Sequence, residues 1–117
     1  PNLIVRLKGQ AKDTQSSVAG IYVLQPNMTN DKSHWLQNSG SEAIWYIKET
    51  GTWTIGPQEY LGSFAPNILS LEDVSSPQEA KTWLYFDGKK IIVSDDIMVD
   101  TFVEAGTCII YSKGLLS

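Results

Sequence analysis

AIWYIKETGTWTIG, residues 43–56, places three large rings, Trp45, Tyr46 and Trp53, within nine positions. The stretch reads as a hairpin. A three-residue loop Glu49-Thr50-Gly51, with Gly51 free to take the left-handed conformation, pairs Lys48 with Thr52. Ile47 then lies opposite Trp53, Tyr46 opposite Thr54, and Trp45 opposite Ile55. Side chains alternate along a strand, so Trp45, Ile47, Trp53 and Ile55 share one face. Ile44, Tyr46, Lys48, Thr52 and Thr54 take the other. The apolar set is expected in the core and the mixed set toward water or a partner. One more loop residue would carry Trp53 onto the face of Tyr46.

The rest of the chain follows the same grammar of short strands between turn signals. Leu3, Val5 and Leu7 lie on one face of a first strand at period two. GQAKDTQSS, residues 9–17, is polar and aperiodic, and reads as a mobile loop. Ile21 to Leu24 forms a second strand closed by Pro26-Asn27, and His34-Trp35-Leu36 a third. Pro57-Gln58-Glu59 within GPQEYLG suits a single helical turn, and Ser76-Pro77-Gln78-Glu79 adds capping-box spacing. TWLYFDGKKIIV, residues 82–93, centres Asp87-Gly88 between two apolar runs, the signature of a two-residue hairpin turn. Phe86 then faces Lys89, Leu84 faces Ile91, and Trp83 faces Ile92. Trp83, Tyr85 and Ile92 share one side, and Leu84, Phe86 and Ile91 the other. A hairpin apolar on both sides is either covered twice or exposes aromatics for a purpose.

Ile97–Val103 and Thr107–Tyr111 add two further extended segments, while Leu115-Leu116 either docks or dangles. The expected fold is all-β: an antiparallel sandwich or small barrel of about eight or nine short strands, with one or two single-turn helices. IWYIKETG and TWLYFDGK resemble each other, and PQE occurs twice. The order of these elements differs between the two copies, which points to shared turn chemistry and not to a duplicated unit.

At 117 residues the chain fits one domain, 1–117, either processed at Pro1 or excised from a longer multidomain protein. A net charge of −4 and a pI near 4.8 argue against phosphate tracking, and no nucleic-acid partner is expected. Membrane insertion is not expected either, because no apolar run reaches the length of a helical span. Cys108 is the sole cysteine, which leans toward a reducing compartment, whereas Asn27-Met28-Thr29 is a glycosylation acceptor sequence. The compartment and the oligomeric state stay open.

Chemistry-bearing patterns are sparse. His34 is the only histidine, so a small hydrolase would need it beside a serine or Cys108, and no nucleophile-elbow pattern is present. Asp95, Asp96, Asp100 and Glu104 read as a solvated acidic turn lacking calcium-loop spacing. Glu42 and Glu49 could form a glycosidase pair only if the fold brought carboxyls to a cleft, which nothing in the sequence supports. No phosphate-cradling glycine loop occurs. No catalytic residue, metal or cofactor is assigned.

What stands out is aromatic supply: four Trp, five Tyr and three Phe. The expectation is a non-enzymatic recognition module binding a protein partner through a sheet face that bears aromatics. The candidate residues are Tyr46, Lys48, Thr52 and Thr54, with Tyr60 and Tyr85, then Phe64 and Trp35. A carbohydrate-binding module and a structural assembly or spacer domain are the other classes this pattern admits.

Overall fold

The computed structural model describes residues 1–64 and 68–103. The strands are β1 (Asn2–Leu7), β2 (Gly20–Thr29), β3 (Lys32–Gln37), β4 (Glu42–Ile47), β5 (Thr52–Pro57), β6 (Ile68–Ser70), β7 (Trp83–Phe86), β8 (Ile91–Ser94) and β9 (Ile97–Phe102). All pair antiparallel in one sheet of order β8-β7-β6-β5-β4-β3-β2-β1-β9, curled into a nearly closed barrel. The all-β class expected from the sequence is thus the one found, with the barrel chosen over the sandwich. The expected strand at 107–111, Cys108, Glu104 and Leu115-Leu116 lie outside the described residues.

The barrel interior takes one residue in two from each strand. Leu3 and Val5, Tyr22, Trp35, Ile44, Trp53, Ile55, Ile68, Trp83 and Tyr85, Ile97 and Val99 form one buried cluster. Leu7 packs against it, as its period-two position requires. The expected loop at 9–17 is instead helix α1 (Gly9–Thr14) followed by a 3-10 turn over Ser16–Val18. Its single apolar anchor, Ala11, is too sparse to give a helical period, yet Ala11 and Val18 are both buried in the interior. Here tertiary packing overrides local pattern.

Both hairpin registers differ from expectation, and the sizes of the slips matter. In the first, Ile47 pairs with Thr52, Tyr46 with Trp53, Trp45 with Thr54 and Ile44 with Ile55. The loop therefore holds four residues, Lys48 to Gly51, with Gly51 at φ 66° and its N–H donated to the Ile47 carbonyl over 2.9 Å. A slip of one residue moves Trp53 to the other face. Both indoles remain buried, but on opposite sides of the sheet.

In the second hairpin Phe86 pairs with Ile91, Tyr85 with Ile92, Leu84 with Val93 and Trp83 with Ser94. The turn centres on Gly88-Lys89, not Asp87-Gly88, because the Asp87 carboxylate accepts the N–H groups of both Lys89 and Lys90 at 2.8 Å. Those two bonds hold its carboxyl below the usual carboxylate range. The slip here is two residues, so the expected sorting of the two faces survives.

Pro26-Asn27 does not end β2. The strand continues to Thr29 through a register shift between Leu24 and Met28, and a bulge accommodates a proline that has no N–H to donate. The chain turns instead at Asn30-Asp31, both at positive φ. Single 3-10 turns do form at Gln58–Tyr60 and Pro77–Glu79. At the latter, Glu79 is bonded by Ser75 and not by Ser76, so the box does not close.

Candidate functional site

The mixed face proposed for the first hairpin is not one surface. Tyr46 lies on the interior side with Trp53, its ring edge-on to that indole at 5.2 Å between centroids. Its hydroxyl donates to Asp73 Oδ1 at 3.1 Å, and the Lys32 ammonium sits 4.9 Å from the ring centre. Partial burial and the neighbouring Asp73 raise the phenol pKa. Thr52 and Thr54 belong to the opposite face. Thr54 is fully buried and its hydroxyl donates to the Ile68 carbonyl at 2.8 Å, which removes it from any contact surface. Exposed Lys48 forms an ion pair with Asp31.

The other aromatic candidates scatter. Tyr85 is a buried interior ring, since its residue parity on β7 points into the barrel. Trp35 is buried beside Trp53 and donates its indole N–H to the Pro1 carbonyl at 2.9 Å. Tyr60 and Phe64 are exposed on the segment after β5.

Outside the barrel wall lies a second, smaller core. Ala43, Trp45 and Ile47 on β4 are buried there, with Leu36, Leu61 and Leu69 packed against them. Leu61 comes from the β5–β6 connection, and the Trp45 indole N–H donates to the Ser63 carbonyl at 2.9 Å. The sheet is therefore covered on both faces at β4 and β5. That explains why IWYI is apolar without a break.

This cover stops short of β7 and β8. Leu69 pairs with Leu84, and Leu84 with Val93, so the outer apolar row crosses the sheet to β8, the last strand on that side among the described residues. Phe86, Ile91 and Val93 on that face are 48%, 61% and 60% exposed. Gln10 donates to Asp87 Oδ2 at 3.2 Å and Gln15 to the Phe86 carbonyl at 3.0 Å, tying α1 and the residue after it to the hairpin. This hairpin thus combines contiguous exposed apolar side chains with the edge of the sheet formed by the described residues. The sequence carried half of this signal, an apolar hairpin on both sides. Nothing local showed that β8 would be an edge.

His34 is buried on β3, with Nδ1 3.2 Å from Thr29 Oγ1. Burial lowers its pKa, and the Asn27 backbone opposes that shift. Neutral imidazole is thus favoured in the folded chain, and its contribution to stability is complete above pH 6.5 and lost as pH falls through the depressed value. Glu42 runs the other way: burial raises its pKa from 4.5, so its contribution is present at low pH and lost as pH rises through the raised value. Urea midpoints of the wild type should therefore fall toward those of His34→Gln between pH 7.5 and about 5.5. Parallel curves for the two proteins would remove His34 as the titrating group.

A cavity of about 90 Å³ lies between Gln78, Ala80 and Lys81 on one side and β9 on the other. Among the described residues no three of His, Cys, Asp and Glu are grouped to hold a metal ion, and no helix is long and apolar enough to cross a membrane. Comparison of the chain with protein-family models, curated proteins and solved structures gave no match.

Proposed function

We propose that the domain is a non-enzymatic interaction module that engages a protein partner by strand addition at the β7–β8 hairpin. One observation carries this reading: the edge of the sheet formed by the described residues and the exposed outer side chains of Phe86, Ile91 and Val93 fall on the same hairpin. An added strand satisfies edge N–H and C=O groups, and its alternate side chains lie beside Ile91 and Val93. The aromatic on this face is Phe86 on β7, whereas Tyr46 and Tyr85 lie on the interior side of the sheet.

Selection of displayed peptides against the folded domain tests the reading, with Val93→Lys as the counter-target. Val93 is exposed, so its replacement should leave stability within about 0.5 kcal/mol. Selected peptides should alternate apolar and polar residues, protect the Ile91 and Val93 amides from hydrogen exchange, and bind Val93→Lys at least tenfold more weakly. Peptides that bind both proteins equally, or that protect other amides, count against it.

A further inference from the structure

Resting on that reading of the edge, we infer that the partner strand is β8 of a second copy of this chain, added antiparallel about a two-fold axis at Ile92. Asp87 N–H donates to the Lys90 carbonyl at 3.1 Å, which makes 87/90 a hydrogen-bonded pair. Phase alternates along an antiparallel ladder, so Tyr85/Ile92 is hydrogen-bonded and Phe86/Ile91 and Leu84/Val93 are not. The backbone groups of Ile91 and Val93 therefore point away from β7, to the side where no described strand lies.

A two-fold partner must pair these odd-numbered residues with each other. Three registers do so: Ile91 opposite itself, Val93 opposite itself, or Ile91 opposite Val93. The third forms four backbone hydrogen bonds and stacks Ile91 on Val93 twice over on the outer face. At its two ends it also brings Lys89 of each copy, in the turn before β8, toward Asp95 of the other, in the bend after it.

Charge decides among them. The segment KKIIVSDD, residues 89–96, is basic at one end and acidic at the other, so antiparallel self-pairing is complementary. Among the described residues neither Lys89, Lys90 nor Asp95 takes part in an ion pair, and all three are exposed. Ile91 opposite itself would set Lys89 across from Val93. Val93 opposite itself would set Asp95 across from Ile91. Each leaves its charges unmatched, and such mismatch is how an edge strand rejects slipped pairings. Isologous contacts of this kind repeat every interaction twice, so each charge pair counts double.

The interface is small and belongs to the weak, reversible class. Sedimentation velocity of the 117-residue chain up to about 1 mM should show a concentration-dependent dimer, with Ile91 and Val93 amides protected from exchange only at high concentration. Lys89→Asp or Asp95→Lys alone should weaken dimerisation roughly tenfold or more, by turning two attractions into two repulsions. The double exchange of both residues should restore it to within about threefold of wild type. Thermal midpoints close to wild type would show that each variant is folded.

A monomer throughout, single reversals without effect, or protection of Ile91 and Val93 that does not change with concentration would each overturn the inference. The last outcome would mean that the chain covers its own edge. A monomer whose selected peptides still protect Ile91 and Val93 removes only the second copy as partner. A monomer whose peptides bind elsewhere removes the interaction surface as well.

Discussion

Trp53→Ala should lower the unfolding free energy by about 3–5 kcal/mol, the range for truncating a fully buried large aromatic. The indole sits at the centre of the barrel filling, edge-on to Trp35 at 5.9 Å and to Tyr46 at 5.2 Å between centroids. It also works as a polar tie. Its Nε1–H donates to the Val74 carbonyl at 2.9 Å, which holds the β6–β7 connection against the barrel. Its backbone N–H donates to the Ser70 hydroxyl at 2.9 Å on β6. Ala keeps the backbone bond, deletes the ring contacts, and strands the Val74 carbonyl. Domains of this size have about 5–15 kcal/mol in total, so a third or more of the stability should go. Urea denaturation followed by far-UV dichroism checks the value. Trp53→Phe should lose less, because most of the ring volume stays while the Val74 bond is still lost. A loss below about 1 kcal/mol for Trp53→Ala would mean that the indole does not occupy the core.

That tryptophan also shows how much of the fold the sequence makes legible. Alternation and turn residues located both hairpins and every described strand except β6, whose three residues Ile68–Ser70 are too few to show a period. Register was harder. In IWYI every position is apolar, because β4 is buried on the barrel side by Ile44 and Tyr46 and on the outer side by Trp45 and Ile47. A strand covered on both faces carries no alternation, so nothing penalises a one-residue slip on paper. In the second hairpin the outer residues stay exposed and the slip was even, so the face assignment survived it. The helix at Gly9–Thr14 was hidden for another reason, since one buried Ala11 sets no period.

The candidate surface was partly legible. The contrast between Trp83, Tyr85 and Ile92 on one side and Leu84, Phe86 and Ile91 on the other is visible in twelve residues. Which side faces out, and whether β8 gains another neighbour, depends on β9 pairing with β1 across more than ninety residues of chain. Edge status is a property of the whole strand order. Short-range pattern holds no trace of it.

Trp45→Ala should also cost about 3–5 kcal/mol, but with a different signature in the protein that remains folded. Trp45 is fully buried although it points away from the barrel interior. What it packs against is Leu36, Leu61 and Leu69, and its Nε1–H holds the Ser63 carbonyl of the β5–β6 connection. Truncation leaves the Trp35–Trp53–Tyr46 stack in place while releasing that connection from its anchor. Near-UV dichroism from the interior rings should therefore persist, and amides of residues 58–64 should exchange faster than in wild type. Global loss of near-UV signal with unchanged exchange in that segment would place Trp45 in the barrel core after all. The released cover would also bare Ala43, Ile47 and Leu69, which continue the row through Leu84 to Val93. The apolar outer face would then run across half the sheet to β8, its edge among the described residues, so this variant should aggregate more readily than Trp53→Ala at equal stability.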